Sequence, residues 1–315
     1  MGKENFDFYS KTSLKSYDLD SSMRYQLNML DSLDVFTRKH SENVASLTCR
    51  LCEYLHLNQD FTIYCTICAY LHDIGKMFIP PSILQKNGPL TDEEYEIMKT
   101  HTTIGYEMCF KDLKLRPYCA GPWYHHEALD GSGYPRGLKG KEIPLEGQII
   151  RVADEFDAIV SKRQYKSHVG VTDTLKILIS DAKPGKSVEK DAALSQLAED
   201  AKVGKINPRI LKCLFKVVID DTEYEISQII DYLDFLKNQI KRLKQIDAYH
   251  EKMLKQKSER KINYYKEGMN VLFEDSENEQ NYKEILAQYE DAYVARKENI
   301  DNLFQEVKNI KKLKI

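Results

Sequence analysis

His72-Asp73-Ile74-Gly75-Lys76 is the stretch that decides how this chain folds and what it can hold. A single His-Asp pair is common by chance, but further imidazole and carboxylate side chains accompany this one. They are His40, His101, His125, His126 and Asp154. Imidazoles mixed with carboxylates are the ligands of borderline divalent metals such as iron, manganese and zinc. The sequence therefore predicts a hydrolytic centre that contains more than one metal ion.

The pattern of apolar residues predicts that these side chains lie on separate short helices. Segments with helical periodicity, broken by Pro, Gly and Asn, include 27–57, 61–71, 92–110 and 145–160. No strand alternation persists long enough to build a sheet, so the predicted fold class is all-α, a multi-helix bundle. Successive candidate ligands are about one helix hairpin apart in sequence, so they can converge in the core of such a bundle.

The chemistry that this group can support depends on Asp73 and Lys76. A carboxylate has two oxygens, so Asp73 can bridge two metal ions about 3.5–4 Å apart. Such a pair clamps the attacking and leaving oxygens of a phosphate ester and lowers the pKa of a bridging water. Lys76, one helical turn beyond His72, could neutralise a phosphate oxygen. His40 alone would more often be a core residue, but the joint occurrence of the motifs favours a metal centre.

The charge and the distribution of apolar residues indicate which binding partners and which cellular location to expect. The 315 residues carry a formal net charge of −3 with 30% charged residues, which does not suggest binding to a nucleic-acid polymer. Residues 1–22 are polar and lack the apolar core of a secretory signal. No run of 18 or more apolar residues predicts a membrane helix. We therefore expect a soluble, cytoplasmic protein with no membrane association.

The chain is predicted to divide into a flexible lead-in (1–22), a catalytic domain (23–222) and a helical extension (223–315). In the extension, apolar residues alternate spacings of three and four, as in coiled coils. The acidic segment 274–281 lacks this pattern, so the extension is predicted to be an antiparallel hairpin of two long helices. It either lengthens the bundle or forms a homodimer or protein-partner interface, and both alternatives stay open. If it controls activity, its deletion should change oligomeric state or rate.

Four cysteines have a spacing that resembles a zinc ribbon: Cys49, Cys52, Cys65 and Cys68. Both pairs lie in apolar-periodic segments without the glycine turns that zinc knuckles need. Free cysteine behaves as a small buried hydrophobe. Core packing is therefore the preferred interpretation, and a structural zinc site is the alternative. The seven cysteines fit a reducing compartment.

Five motifs in order resemble the HD-GYP family of the HD phosphohydrolase superfamily, over roughly residues 23–220. They are His72-Asp73-Ile74-Gly75-Lys76, His125-His126-Glu127, Asp130-Gly131-Ser132-Gly133-Tyr134-Pro135, Ala153-Asp154-Glu155-Phe156-Asp157-Ala158 and Arg163-Gln164-Tyr165-Lys166. The resemblance implies a bacterial phosphodiesterase that acts on cyclic dinucleotides, chiefly cyclic di-GMP, with iron or manganese as cofactor.

The resemblance also implies residue roles. The implied metal ligands are His40, His72, Asp73, His101, His125, His126 and Asp154, with Asp73 as the bridge. Lys76 would contact the scissile phosphate, and the loop Gly133-Tyr134-Pro135 would border the substrate. Arg163 and Lys166 would hold the other phosphate or a guanine edge, since the guanidinium of Arg binds either one bidentately.

Three features depart from the family pattern. Some members carry a glutamate four residues before the first histidine and bind a third metal; Phe36 stands there, which favours two divalent ions. Gln164 replaces a frequent proline. The polar stretch 183–205 is longer than typical and is either a lid or a surface insertion.

Three functions compete. The first is hydrolysis of cyclic di-GMP to linear pGpG, with or without cleavage to GMP. The second is hydrolysis of another substrate, such as hybrid cyclic GMP-AMP or a mononucleotide. The third is a catalytically silent receptor that signals through the helical extension. Every expected ligand for two metals is present, and buried histidines and carboxylates would be costly to keep without a metal. The enzyme hypotheses are therefore preferred.

Overall fold

The computed structural model describes residues 35–161, 171–183, 204–274 and 276–313. Helices and connecting turns make up these ranges, and no strand occurs within them. The all-α prediction is therefore confirmed. The described residues separate into two compact units, one up to Val218 and one from Ile219 to Lys312. No helix in the described ranges is long and apolar enough to cross a bilayer.

The first unit consists of short helices joined by tight turns. Its α-helices are α1 (Val35–Tyr54), α2 (Gln59–Leu71), α3 (Pro81–Leu84), α4 (Asp92–Lys99), α5 (His101–Lys111), α6 (Ala120–Tyr124), α7 (Leu145–Ser161), α8 (Val171–Ala182) and the start of α9 (Pro208–Leu254). A 3₁₀ helix, Ile74–Phe78, follows α2 directly.

Local sequence signals fix where the helices begin. The Asn58 side chain accepts a hydrogen bond from the Phe61 backbone N–H at 2.9 Å, which caps α2. Thr91 and Glu94 form a reciprocal capping box at the start of α4, and acidic residues fill its first turn. The first helix of the predicted segment 92–110 therefore begins at Asp92, as the sequence predicted.

Two glycines allow the helices around the His-Asp motif to approach closely. A Cβ at Gly75 would lie 1.9 Å from the His101 carbonyl oxygen, so only glycine lets the 3₁₀ helix rest on the start of α5. A Cβ at Gly121 would lie 2.0 Å from the Cys68 carbonyl oxygen, on α2. The turn that carries the motif is thus packed against the elements that carry the other histidines.

The cysteines in the zinc-ribbon spacing behave as core residues. All four are free and buried, and burial raises the pKa of the Cys49 thiol to about 12. Buried thiols of high pKa are poor metal ligands. The clusters of potential ligands in the described ranges consist of histidines and aspartates, without cysteine. Core packing is therefore the better interpretation.

The second unit contains three helices where two were predicted. They are the continuation of α9 to Leu254, α10 (Glu259–Leu272) and α11 (Tyr282–Lys312). The prediction of a two-helix hairpin is wrong in this respect, because α9 ends at Leu254 and a separate helix precedes the acidic segment. α9 and α11 run antiparallel, as three ion pairs show: Glu223–Lys311 at 2.7 Å, Lys244–Glu290 at 2.7 Å and Asp247–Lys283 at 3.4 Å.

The apolar seam of the second unit is buried in two clusters. One joins α9 to α11 through Ile226, Ile229, Ile300 and Val307. The other gathers all three helices around Leu243, Ile246, Met253, Met269 and Tyr282. The Arg242 guanidinium fastens the loop after α10, because it donates to the Leu272 carbonyl at 2.6 Å and pairs with Glu277.

Candidate metal centre

The candidate ligands come from five parts of the first unit. His40 lies on α1, and His72 and Asp73 lie between α2 and the 3₁₀ helix. His101 is the first residue of α5, His125 and His126 follow α6, and Asp154 lies on α7. The structure brings all seven side chains together, as the motifs predicted, and buries most of them.

Asp73 lies at the middle of this group, and its two oxygens face different histidines. Oδ2 lies 3.2 Å from His72 Nε2 and 3.8 Å from His40 Nε2. Oδ1 lies 3.4 Å from His101 Nε2 and 3.9 Å from His125 Nε2. A carboxylate that offers one oxygen to each of two imidazole pairs has the arrangement needed to bridge two metal ions.

Asp154 and His126 complete the two halves of the group. Asp154 Oδ1 lies 2.9 Å from His40 Nε2 and 3.8 Å from His72 Nε2. His126 joins His101 and His125 in a cluster whose ligand atoms all lie within 4.8 Å of one another. We call the half with His40, His72 and Asp154 the His40 half, and the half with His101, His125 and His126 the His101 half.

Hydrogen bonds from outside orient four of the imidazoles. Nδ1 contacts a backbone carbonyl in three of them: Ala69 O at 2.6 Å for His72, Met98 O at 2.7 Å for His101 and Gly121 O at 2.9 Å for His125. A carbonyl can only accept, so Nδ1 donates its proton and the Nε2 lone pair faces the centre.

His40 is held differently, by a side chain. Its Nδ1 lies 2.6 Å from Asp157 Oδ2, and the Asn43 amide donates to Asp157 Oδ1 at 3.0 Å. Asp157 therefore orients His40 as the backbone carbonyls orient the other rings.

Burial and neighbouring charge set the protonation states. Burial lowers the pKa of His101 and His125, and lowers that of His126 to about 3, so these imidazoles are neutral. Burial alone would raise the pKa of Asp73, but His72 and the Lys76 ammonium, which contacts Oδ2, hold it well below its usual range. Neutral imidazole and ionised carboxylate are the forms that bind metals.

The His40 half carries an excess of negative charge that a cation would balance. Burial opposes protonation of His40, but Asp154 and Asp157 raise its pKa to about 10. Burial likewise opposes ionisation of Asp154, yet the hydrogen bond from His40 holds its pKa well below the usual range. A proton thus lies between His40 and Asp154, where a metal ion would take its place.

Two buried atoms test whether the site fits a metal. His72 Nε2 and Asp73 Oδ1 are buried and have no hydrogen-bond partner. Leaving buried polar atoms unpaired costs about 1–3 kcal/mol each. Both atoms point into the group of ligands, so metal ions held there would satisfy them. The residues therefore fit a metal centre.

The loop Gly133-Tyr134-Pro135 lies against the centre. The Tyr134 ring stacks on His126 with centroids 4.6 Å apart, and the Tyr134 N–H donates to the His126 carbonyl at 3.1 Å. A Cβ at Gly133 would lie 2.2 Å from the Ala128 nitrogen, so this close approach requires glycine. The loop is thus adjacent to a candidate metal ligand, and its contact with substrate stays a prediction.

Glu127 and Arg151 support this loop, and sequence reasoning assigned neither a role. The buried Glu127 carboxylate accepts hydrogen bonds from the Arg136 and Leu138 N–H groups at 2.7 and 2.8 Å. Arg151 donates to the His126 and Glu127 carbonyls at 3.0 and 3.1 Å. Glu127 belongs to the motif His125-His126-Glu127, and Arg151 lies one helical turn before Asp154. Their position next to candidate ligands is the sequence feature that could have identified them.

Some predicted residues cannot be placed. Arg163, Gln164 and Lys166 lie outside the described residues, as does most of the polar stretch 183–205. Phe36 lies on α1 one turn before His40, at the position where a third-metal ligand would stand. The roles of these positions remain predictions.

Comparison with known proteins shows which family this chain resembles. The HD domain family profile matches residues 24–186. A cyclic di-GMP phosphodiesterase of Thermotoga maritima is 49% identical over 146 residues, which cover 45% of this chain and 39% of that protein. The 3′3′-cGAMP-specific phosphodiesterase 1 of Vibrio cholerae is 35% identical over 159 residues, covering 50% and 37%. The chain thus matches well under half the length of these relatives.

Among solved structures, the HD domain of the L. monocytogenes phosphodiesterase PgpH in complex with cyclic-di-AMP aligns with a TM-score of 0.44 at 19% identity, over 62% of this chain and 95% of that one. The family profile covers just over half of the present chain and includes all seven candidate ligand positions, from His40 on α1 to Asp154 on α7. This chain belongs to the HD domain family, and its His-Asp and Gly-Tyr-Pro motifs occur in the order that is typical of the HD-GYP group within it.

Proposed function

We propose that this chain is a metal-dependent phosphodiesterase that hydrolyses cyclic di-GMP to linear pGpG. The observation that carries the proposal is the position of Asp73, whose two oxygens face two separate pairs of imidazoles in a buried site. Relatives named as cyclic di-GMP phosphodiesterases are 49% and 42% identical to this chain over 146 and 127 residues, and the HD domain profile match at residues 24–186 contains these residues. Water would add across one phosphodiester bond, leaving a 5′-phosphate and a free 3′-hydroxyl.

The cofactor we propose is a pair of divalent ions, iron or manganese. The His40 half and the His101 half would each hold one ion, with Asp73 shared between them. Phe36 offers no ligand atom for a third ion, which supports two. Such a pair supplies Lewis acidity and lowers the pKa of a bound water.

The remaining side chains would bind and orient the substrate. Lys76 keeps 23% of its side chain exposed beside Asp73, so its ammonium can reach a phosphate oxygen. Gly133, Tyr134 and Pro135 would border the bound dinucleotide. For Arg163 and Lys166 the proposal is contact with the second phosphate or a guanine edge.

A second candidate substrate is hybrid cyclic GMP-AMP. Two relatives named as 3′3′-cGAMP-specific phosphodiesterases are 35% and 34% identical to this chain over 159 and 150 residues. Both substrates present the same phosphodiester to the metal centre, so the choice between them depends on base contacts. A silent receptor is less favoured, because the ligand set for two metals is complete.

The free thiols of the described cysteines support a reducing compartment, and we propose the cytoplasm. For the second unit we propose a role in homodimerisation or partner binding. Removal of residues 223–315 tests that role, since unchanged mass in solution and unchanged turnover would exclude it.

Product analysis after anaerobic purification with iron or manganese tests the main proposal. Cyclic di-GMP, hybrid cyclic GMP-AMP and pGpG are incubated with wild type, with Asp73→Ala and with Asp231→Ala, which changes an exposed aspartate on α9. We expect turnover and about two metals per chain, both lost in Asp73→Ala and kept in Asp231→Ala. Tight dinucleotide binding without metal or turnover would favour the receptor instead. Cleavage of pGpG would show whether the reaction continues to GMP.

A further inference from the structure

Tyr95, on α4, lies beside the candidate metal centre although it belongs to none of the motifs. Its ring centroid is 6.4 Å from that of Tyr134, with the rings nearly perpendicular. Tyr134 in turn stacks on the candidate ligand His126. An aromatic surface therefore runs from the metal centre out to Tyr95, which keeps 46% of its surface exposed.

Lys99, one turn further along α4, places a cation against this surface. Its Nζ lies 4.7 Å from the centroid of Tyr95 and 5.6 Å from that of Tyr134, within cation–π range of both rings. Its ammonium also pairs with Glu96 Oε1 at 2.6 Å. Two rings and a carboxylate thus set the position of this cation.

The local fold fixes the position of Tyr95 and Lys99 relative to the metal centre. The capping box of Thr91 and Glu94 fixes the start of α4. Only Thr100 separates Lys99 from His101, and the Thr102 hydroxyl donates to the Lys99 carbonyl at 2.9 Å. The helix that carries the aromatic ring and the cation therefore leads directly into a candidate metal ligand.

An exposed aromatic face beside a cation is a combination that binds a guanine base. Bases stack on aromatic side chains whatever their identity, because each base has a π-face. The lysine ammonium donates to guanine O6 and N7, whereas adenine presents an amino donor in place of O6. Stacking would then supply affinity, and the cation would supply preference for guanine over adenine.

We propose that Tyr95 and Lys99 form a base subsite for the cyclic dinucleotide. Tyr95 stacks on one guanine, Lys99 donates to O6 of that base, and Glu96 holds the lysine in place. This inference rests on the proposed function, because it names the part of the site that distinguishes among cyclic dinucleotide substrates. It assigns substrate preference to α4 as well as to the motif residues.

The test measures kcat and KM with cyclic di-GMP, hybrid cyclic GMP-AMP and cyclic di-AMP for wild type and variants. In Tyr95→Ala we expect KM for cyclic di-GMP to rise about tenfold, from the usual contribution of one stacked base, with metal content and kcat retained. Tyr95→Phe keeps the ring and should resemble wild type. In Lys99→Met we expect the preference for cyclic di-GMP over cyclic di-AMP to fall about tenfold.

Lys111→Met is the matched control. Lys111 pairs with Glu107 at 3.1 Å within α5, ten residues and about 15 Å along the helix from His101. Its removal should change neither KM nor the preference. An unchanged KM in Tyr95→Ala, or an unchanged preference in Lys99→Met, would overturn the base subsite.

Equilibrium binding separates this inference from the proposed function. If wild type binds cyclic di-GMP without hydrolysing it, the proposed activity fails. The subsite then stands if Tyr95→Ala weakens binding and Lys99→Met reduces the guanine preference, and falls if either effect is absent. Wild type that holds two metals but binds none of the three dinucleotides would overturn both.

Discussion

Replacement of Asp157 by asparagine should weaken metal binding in one half of the centre only. In the structure, Asp157 accepts from His40 Nδ1 at 2.6 Å and from the Asn43 amide at 3.0 Å. An asparagine of the same shape has one acceptor and one donor group in place of two acceptors. If its oxygen faces His40, its amino group opposes the amino group of Asn43. If it turns round, its amino group donates to Nδ1, and the proton of His40 then moves to Nε2, which faces the centre.

Either arrangement removes a carboxylate that orients a ligand and increases its basicity. Changes to such supporting residues lower metal affinity about 10- to 100-fold, or about 1.4–2.7 kcal/mol. The rings of His101 and His125 donate to backbone carbonyls and keep their orientation. We therefore expect Asp157→Asn to lose about one of the two metal ions proposed for the centre, at a chelator concentration that leaves wild type fully loaded.

This loss is measured by titrating the protein with manganese against a competing chelator. The electron paramagnetic resonance signal of manganese reports how much of the ion is bound. The double variant Asn43→Asp/Asp157→Asn restores a donor opposite an acceptor and should recover part of the affinity. If Asp157→Asn bound both ions as tightly as wild type does, the reasoning would be refuted. Loss of both ions together would refute it as well, because a general loss of structure would have that effect.

Three further predictions concern the metal centre and its supports. Removal of metal with a chelator should lower the thermal unfolding temperature, since bound ions at 100 times their Kd stabilise the fold by about 2.7 kcal/mol per site; an unchanged temperature would contradict it. Glu127→Gln should raise KM with unchanged metal content, because one N–H of the Arg136 and Leu138 pair loses its acceptor; steady-state kinetics and metal analysis of the same sample check this. Gly75→Ala should destabilise the first unit by about 1–3 kcal/mol or more in chemical denaturation, because its Cβ meets the His101 carbonyl; wild-type stability would show that the backbone can yield.

The convergence of the seven candidate ligands could be predicted because each motif is local. His72 and Asp73 are adjacent, and the intervals between motifs match helix hairpins, so an all-α bundle was enough to bring them together. The supports of three imidazoles are local as well, since Nδ1 bonds a carbonyl three or four residues earlier. A histidine at the end of a helical turn makes this contact without help from the rest of the fold.

Contacts across long sequence separations could not be predicted in the same way. Asp157 is 117 residues from His40, and its partnership depends on how α7 packs against α1. Tyr95 belongs to none of the sequence motifs, and its approach to Tyr134 depends on tertiary packing. Helix α10 was missed for another reason. Ile262, Tyr265, Met269 and Leu272 continue the apolar spacing of the seam, and the short polar break at 255–258 was not taken as a turn.

The two halves of the centre differ in what holds them, and this difference makes selective loss of one ion the expected result. The rings of His101 and His125 are almost fully buried, and each is oriented by a carbonyl of the helix that precedes it, Met98 on α4 and Gly121 on α6. His40 is 17% exposed and is oriented by a side chain that itself depends on Asn43. Water and competing ligands therefore reach the His40 half more readily, while its charged neighbours hold a proton that a metal must displace. Affinity in that half should respond to substitutions on α1 and α7, whereas the His101 half should respond to changes that disturb the backbone at the start of α5 and the end of α6.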